Sequence, residues 1–194
     1  MASQTPQQGG LLVIMGVSGS GKSTLAKAIV ERGVLRNAVF VDADDLHSPE
    51  SIDKMRQGQA LTEKDRAPWL LAVSCRVALA IGDPSGDGDN QHGRWVVLAC
   101  SCLKRQHRDF LRDSIAPVQM LLVYLECDQA LILERVQHRK GHFAGASLVQ
   151  SQFEALESPS PTIELGTLVM DGSLSVDHLC NELASHRVSF FSQL

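Results

Sequence analysis

A glycine-rich run from Gly16 to Ser23 constrains this chain more than any other segment, and it reads Gly-Val-Ser-Gly-Ser-Gly-Lys-Ser. The residues before it, 11–15, form a short unbroken apolar run that is typical of a buried parallel strand. The residues after it, 24–32, carry apolar side chains at helical spacing and end at Gly33, which suits a helix C-cap. Strand, glycine loop and helix form the context in which Gly-x-x-x-x-Gly-Lys-Ser predicts binding of a nucleoside triphosphate.

The chemistry of this loop follows from its glycines, which let the backbone curl so that successive N–H groups hold phosphate oxygens at a helix N-terminus. Lys22 is expected to reach the outer phosphates, and the Ser23 hydroxyl to ligate Mg²⁺. The alternative, a glycine turn with an exposed lysine, is disfavoured by the flanking strand and helix. The loop residues predicted to bind the nucleotide are Gly16, Val17, Ser18, Gly19, Ser20, Gly21, Lys22, Ser23 and Thr24.

The length of 194 residues suits a single domain with a proper core. We predict that this domain spans residues 11–187, between a loose N-terminal tail at 1–10 and a C-terminal tail at 188–194. The net charge of −4 argues against a nucleic-acid partner. Charged residues or glycines interrupt every apolar run within several residues, so we expect no membrane span.

The cysteines indicate a reducing compartment. The five cysteines form no Cys-x-x-Cys pair, and the seven histidines form no zinc-type cluster. Cys100-Ser101-Cys102 could hold a metal or a redox pair, but buried reduced thiols near strand ends are the expected case. The sequence therefore predicts a cytoplasmic protein without disulfides.

Five short apolar runs alternate with segments of helical periodicity, which predicts an α/β fold with a five-stranded parallel sheet and helices on both faces. Residues 82–93 are rich in glycine and aspartate and predict a surface loop. The predicted strands lie at 11–15, 38–41, 95–99, 120–125 and 167–170, and the predicted helices at 24–32, 49–56, 65–81, 104–112, 129–139, 147–156 and 176–186.

Acidic residues follow the second predicted strand, at the edge of the sheet where ligands of such folds bind. The side chains of Asp42 and Asp44 would point the same way if the extended geometry continued. Phosphoryl transfer to an alcohol needs a magnesium ion and a base that accepts the hydroxyl proton. We therefore predict one carboxylate near Mg²⁺ and the other facing an acceptor alcohol. The alternative is an N-capping aspartate in a solvated turn.

Basic residues outside the phosphate loop are the next candidates. Arg135 and Arg139 lie four residues apart on a predicted helix, where two guanidiniums could contact the base and the transferring phosphoryl group. Basic residues at a helix C-terminus are also favoured by the helix dipole, so both interpretations stay open. The glycine-containing segment after Arg139 predicts a lid at about 135–150 that closes over the nucleotide. Other cations outside the phosphate loop could hold an anionic acceptor, although surface helices carry such residues routinely and most are expected to be solvated. They are Lys104, Arg105, Arg108, Arg66 and Arg56, of which Lys104 follows a strand most closely.

Several segments together resemble the small P-loop gluconokinases over residues 11–160, and the later strand and helix fit the same fold. The most specific are Asp-Arg-Ala-Pro-Trp-Leu at 65–70 and Arg-Lys-Gly-His-Phe at 139–143, since the phosphate loop is shared by many families. The others are Asp-Ala-Asp-Asp-Leu-His at 42–47, Ile-Asp-Lys-Met at 52–55, Cys-Ser-Cys-Leu-Lys at 100–104, Arg-Asp-Phe-Leu-Arg at 108–112 and Gln-Phe-Glu-Ala-Leu-Glu at 152–157.

The resemblance implies transfer of the γ-phosphoryl group of ATP to the 6-hydroxyl of D-gluconate, giving 6-phospho-D-gluconate and ADP and feeding the pentose phosphate pathway. It also implies a P-loop NTPase fold of the nucleoside monophosphate kinase type with a short lid. A Mg²⁺ requirement and a homodimer are further expectations from the same resemblance.

Residue roles are also carried over by resemblance. Asp42 stands where a magnesium-associated acid lies, and Asp44 where the acceptor-side base lies. Arg135 and Arg139 stand at the adenine-side and phosphate-side arginines of the lid. The implied catalytic residues are Lys22, Asp44 and Arg139; the implied metal ligands are Ser23 and Asp42; Arg135 joins the ATP-binding residues; and the implied gluconate site comprises Asp44, His47, Arg66, Lys104 and Arg108.

The chain departs from the family pattern at three positions, and two other kinase groups stay open as alternatives. Ser51 replaces the usual Asn, which could bond a sugar hydroxyl; Cys102 replaces the usual Ala; and the proline after His47 is displaced to Pro49. Shikimate kinases share the loop, but the chain has Cys-Ser-Cys where they carry a glycine-rich substrate segment. Nucleoside monophosphate kinases would have a longer lid. A nucleotide-dependent switch would predict an Asn-Lys-x-Asp motif, which the sequence lacks.

Overall fold

The apolar run that precedes the phosphate loop forms the central strand of a five-stranded parallel sheet. The computed structural model describes residues 9–82, 94–138 and 146–190. The strands are β1 (Gly10–Met15), β2 (Ala38–Asp42), β3 (Trp95–Ala99), β4 (Gln119–Glu126) and β5 (Thr167–Asp171), and they lie in the order β2-β3-β1-β4-β5.

Helices connect the strands, and their bounds lie within a few residues of the predicted segments. A short 3-10 helix at Ala43–Leu46 follows β2 directly. None of the described helices is long and apolar enough to cross a membrane. The helices are α1 (Lys22–Glu31), α2 (Pro49–Arg56), α3 (Glu63–Gly82), α4 (Arg105–Ile115), α5 (Gln129–His138), α6 (Ala146–Ala155) and α7 (Val176–Phe190).

Alternate side chains of the fully buried β1 enter two separate cores. Leu11 and Val13 pack on the face that α3 and α4 cover, whereas Leu12 and Ile14 pack on the face that α1 and α7 cover. A strand covered on both sides needs apolar residues at every position, which explains its unbroken apolar run. The predicted fold class, a parallel sheet with helices on both faces, is confirmed.

A third and smaller apolar cluster lies beyond the carboxyl ends of the strands. It joins the phosphate loop through Val17, the loop after β3 through Leu103, and α5 and α6 through Ile132 and Val149. All four side chains are buried. This cluster therefore fixes the two loops on which the predicted chemistry depends against the two helices that flank the predicted lid.

Some predicted features lie wholly or partly outside the described residues. These are most of the N-terminal tail, the acidic loop at 82–93, the lid segment after His138 including Arg139, and the end of the C-terminal tail. The domain limits and these features stay predictions.

Candidate active site

The phosphate loop has the backbone conformation that its glycines were expected to supply. Gly21 precedes α1 with φ 99°, a left-handed conformation that side-chain-bearing residues rarely adopt. At Gly19, with φ 87°, a Cβ would lie 3.2 Å from a methyl group of Val136 on α5. The helix therefore starts at Lys22 with its N-terminus directed at the volume inside the loop, where phosphate is favoured.

Lys22 is largely buried, with 8% of its surface exposed. Its Nζ donates a hydrogen bond to the carbonyl oxygen of Val17 at 3.0 Å, across the loop. This contact holds the ammonium group over the loop, in the position from which a lysine reaches the outer phosphates of a bound nucleotide.

A glutamine that sequence reasoning did not single out closes the loop on its other side. The backbone N–H of Ser18 donates to Oε1 of Gln152 on α6 at 2.6 Å. The helix that follows the predicted lid is therefore bonded directly to the phosphate loop. Gln152 is the first residue of the segment 152–157, which carried part of the family resemblance. That resemblance was the sequence feature from which a role for Gln152 could have been predicted.

A pocket of about 500 Å³ adjoins the phosphate loop. Arg135 lies on its wall and donates to the carbonyl oxygen of Gly172, after β5, at 2.9 Å. Gly172 has no room for a side chain, because a Cβ would collide with Sγ of Cys127. The pocket lining includes Gly19, Ser20, Gly21, Thr24, Leu131, Arg135, Leu174 and Val176.

The strand ends at the first of the two aspartates: Asp42 is the last residue of β2, and Asp44 lies in the 3-10 helix that follows. Asp42 caps the 3-10 helix, since its Oδ1 accepts a hydrogen bond from the backbone N–H of Asp44 at 3.1 Å. The extended geometry ends at Asp42, because this capping bond turns the chain after one residue, and the capping interpretation of Asp42 is the one observed. Both acids still lie at the carboxyl edge of the sheet, where Asp42 pairs with Ala99 at the end of β3.

His47 is held by an aromatic stack. Its ring lies parallel to that of Trp69 on α3, with 4.6 Å between centroids and 5° between planes. The indole N–H of Trp69 donates to the carbonyl oxygen of Ala43 at 2.7 Å, so the tryptophan also anchors the 3-10 helix. Burial lowers the pKa of His47, and the imidazole is therefore neutral at pH 7. Its Nδ1 is buried and makes no hydrogen bond within the described residues.

Two of the predicted acceptor-binding cations meet on one carboxylate. Nζ of Lys104 lies 2.8 Å from Oε1 of Glu63, and Nη1 of Arg66 lies 3.5 Å from the same oxygen. Hydrogen bonds from Lys104 and His107 lower the pKa of Glu63 to about 2. The sequence predicted the two cations, but it gave no indication of the acid between them.

Arg108, also predicted to bind the acceptor, is placed differently. Only 1% of its side chain is exposed, and it forms two hydrogen bonds of 2.7 Å to the buried carboxylate of Glu164. It also donates to the carbonyl oxygens of Cys102 and Leu103, at 2.9 and 3.0 Å. Its guanidinium therefore holds the backbone of the loop before Lys104 in place and is too buried to contact an acceptor.

The same loop is fixed by the segment after α6. Oε2 of Glu157 accepts from the backbone N–H of Arg105 at 2.7 Å, and the backbone N–H of Glu157 donates to the carbonyl of Leu103 at 2.9 Å. Together with Gln152 and Glu164, this residue ties one stretch of chain to both the phosphate loop and the loop after β3.

Two departures from the family pattern have a structural context. Ser51 is buried in the first turn of α2, and its N–H donates to the capping hydroxyl of Ser48 at 3.2 Å. Cys102 adopts a positive φ of 42°, and its Sγ lies 3.1 Å from that of Cys100. The hydrogen bond from Cys102, together with burial, raises the pKa of Cys100, so that thiol stays protonated. All five cysteines are free thiols. No cluster of three metal-binding side chains occurs in the part of the chain that is described.

The strand, glycine loop and helix at the centre of a parallel sheet define a P-loop nucleotide-binding protein, and the family described as AAA domain matches residues 11–159. The chain is 37% identical to a probable gluconokinase of Dictyostelium discoideum, over 91% of this chain and 85% of that protein. It is 42% identical to the thermosensitive gluconokinase of Escherichia coli, over 76% of this chain and 71% of that protein. It belongs to the gluconokinase family.

A solved structure agrees with this assignment. The crystal structure of a gluconokinase from Sinorhizobium meliloti superposes with a TM-score of 0.77 at 37% identity, covering 97% of this chain and 96% of that one. A sugar kinase from Janibacter gives a TM-score of 0.74 at 32% identity. The resemblance inferred from the sequence is thus confirmed.

Proposed function

We propose that this chain is an ATP-dependent gluconokinase, which transfers the γ-phosphoryl group of ATP to the 6-hydroxyl of D-gluconate. Beside family membership, one observation carries the proposal. At the edge of the sheet that holds the phosphate loop, Lys104 and Arg66 converge on a carboxylate group. A pair of cations at that place suits an acceptor that carries a carboxylate of its own.

The nucleotide is proposed to bind with its phosphates in the loop and its base in the adjoining pocket. Thr24 and Arg135 both line that pocket, and the bond from Arg135 to Gly172 keeps the guanidinium on its wall. A guanidinium so placed can stack on a planar base. Lys22 then stabilises charge on the transferring phosphoryl group. Arg139 keeps its proposed role at the phosphate side of the lid.

Ser23 and Asp42 are proposed to hold Mg²⁺. Their hydroxyl and carboxylate oxygens are hard ligands of the kind that Mg²⁺ prefers, and the capping bond of Asp42 fixes the orientation of its carboxylate. When bound, Mg²⁺ would neutralise charge on the β- and γ-phosphates.

At the acceptor side, Asp44 is proposed to accept the proton of the 6-hydroxyl as the phosphoryl group is transferred. The neutral imidazole of His47, held by its stack on Trp69, offers a hydrogen-bonding nitrogen for a sugar hydroxyl. Lys104 and Arg66 are proposed to bind the carboxylate of gluconate. We assign Arg108 the role of positioning the loop before Lys104, because its guanidinium is buried, paired with Glu164 and bonded to the carbonyl oxygen of Cys102.

The free state of all five thiols fits a reducing compartment, and we propose a cytoplasmic location on that ground. A homodimer is proposed from the family resemblance alone.

The test is ADP release by the purified protein with ATP, Mg²⁺ and one acceptor at a time. We expect turnover with gluconate and little with glucose, because a neutral sugar has no carboxylate to bind Lys104 and Arg66. Little turnover is also expected with shikimate or AMP, the acceptors of the two alternative kinase groups. Mass spectrometry should identify 6-phosphogluconate as the product. The folded Lys22→Ala variant is the control and should be inactive. Equal turnover of glucose and gluconate would overturn the proposal, and preference for shikimate or AMP would support the alternative kinases.

A further inference from the structure

Glu63 has more polar partners than an ordinary surface acid. Its Oε1 lies 2.8 Å from Nζ of Lys104 and 3.5 Å from Nη1 of Arg66. Its Oε2 accepts from Nε2 of Gln106 at 3.1 Å and lies 3.0 Å from Nε2 of His107. Four donor groups from two segments of the chain, Arg66 in α3 and residues 104–107, thus surround one carboxylate.

These donors would recognise a carboxylate from any source, because both oxygens are contacted and the charge is opposed by two permanent cations. The carboxylate that fills the position belongs to the chain itself. Since the proposed acceptor also carries a carboxylate, Glu63 occupies the place that the acceptor needs on Lys104 and Arg66.

Glu63 is also able to leave. Its side chain is 49% exposed, and it is the first residue of α3, so no preceding helical turn confines it. A carboxylate released from the pair would remain at the N-terminus of a 20-residue helix, where the dipole favours negative charge. Its low pKa keeps it ionised throughout the neutral range, so release does not require a proton.

We propose that Glu63 is a placeholder for the acceptor's carboxylate and thereby determines acceptor specificity: gluconate binds by displacing it from Lys104 and Arg66. This inference rests on the proposed gluconokinase function. With the site empty, Glu63 neutralises the two cations. An acceptor without a carboxylate cannot replace it, because displacement would leave both cations unpaired. The same competition weakens gluconate binding, since the acceptor must first break existing ion pairs.

The proposal makes an unusual prediction: removing a charge from the acceptor site should improve acceptor binding. In Glu63→Gln the shape is kept and the competing charge is lost. We expect the KM for gluconate to fall by about threefold or more, a size consistent with partly exposed ion pairs. The kcat and the KM for ATP should not change, and glucose should remain a poor acceptor.

Asp109→Asn is the matched control, because Asp109 is a partly exposed acid on α4 that pairs with Arg112 at 3.0 Å and with Arg105 at 3.5 Å. Its KM for gluconate should equal that of the wild type. A second variant, Glu63→Gln with Lys104→Ala, should lose most of the improvement, because one of the two cations for which Glu63 and the acceptor compete is then absent.

The outcomes separate the two proposals. A lower KM for gluconate in Glu63→Gln, absent in the control and reduced in the double variant, supports the placeholder. An unchanged or higher KM in folded Glu63→Gln overturns it and shows that Glu63 only holds the cations in place; the gluconokinase function would stand. If the wild-type protein forms no ADP with gluconate, the proposed function fails and this inference fails with it.

Discussion

The buried pair between Arg108 and Glu164 offers a sharp test of how the fold supports the acceptor loop. The side chains are 1% and 5% exposed, and the guanidinium makes two bonds to the carboxylate and two to backbone carbonyls. The pair lowers the pKa of Glu164. Glu164→Ala would remove the carboxylate and leave a guanidinium without a counter-ion in the interior.

The magnitude follows from the burial. Breaking a buried ion pair by removing one partner costs about 3–5 kcal/mol, because the remaining charge is uncompensated. That is a large part of the roughly 5–15 kcal/mol by which a domain is stable. For a chain of this size, about 2–4 °C of melting temperature corresponds to 1 kcal/mol. We therefore expect the melting temperature of Glu164→Ala to fall by roughly 6–20 °C.

The measurement is urea and thermal unfolding of the ligand-free protein. Asp109→Ala is the control: it breaks two partly exposed pairs, with Arg112 and with Arg105, and should cost about 1 kcal/mol or less. Replacing Arg108 and Glu164 together by methionine should cost less than Glu164→Ala, because no unpaired charge remains. A loss below about 1 kcal/mol in Glu164→Ala would refute the reasoning and show that the two backbone carbonyls suffice for the guanidinium.

Three further outcomes are expected. Asp44→Asn should bind ATP normally yet lower kcat by roughly a hundredfold or more, as for loss of a general base; a change confined to the KM for gluconate would instead mean that Asp44 orients the sugar. Gly172→Ala should raise the KM for ATP, because the added Cβ would displace the carbonyl that accepts from Arg135. Gly82→Ala is the control, because Gly82 has open space around it. Equal KM values for ATP in the two variants would contradict the prediction. Below pH 4.5 the wild type should lose stability more steeply than Glu63→Gln. The pKa of Glu63 is about 2 in the folded protein, below its ordinary value of 4.5. A lowered carboxyl pKa contributes stability above the pKa of the unfolded chain, and this contribution is lost as the pH falls towards the pKa of the folded protein. Parallel acid-unfolding curves for the two proteins would show that Glu63 carries no such linkage.

Most of the fold could be predicted because the local signals were strong. An unbroken apolar run such as β1 is typical of a strand in the middle of a parallel sheet, where both faces are buried, and the glycine loop marks the end of this strand. The helix at Pro49–Arg56 was predicted with its observed bounds, since Ser48 and Pro49 form a standard N-terminal signal.

The parts that could not be predicted depend on contacts between distant segments. Asp42 had two open interpretations, and only the folded backbone shows that it caps the 3-10 helix. The sequence around Arg108 is that of a surface helix, and it contains no sign that Glu164, 56 residues later, is the partner of this arginine. Glu63 was overlooked for the same reason, since three of its four partners lie more than 40 residues away.

The stretch from Gln152 in α6 to Glu164 carries three side chains that each reach a different point: Gln152 contacts the phosphate loop, Glu157 the start of α4, and Glu164 the buried Arg108. Because three of its residues are fixed at separate points, the number of residues between 152 and 164 is constrained more strictly than the identity of the residues there. Deleting one residue between two of these points would shift the next by about 3.3 Å, more than a hydrogen bond can absorb. Insertions and deletions should therefore be excluded from residues 152–164, even where single exposed side chains can be exchanged freely.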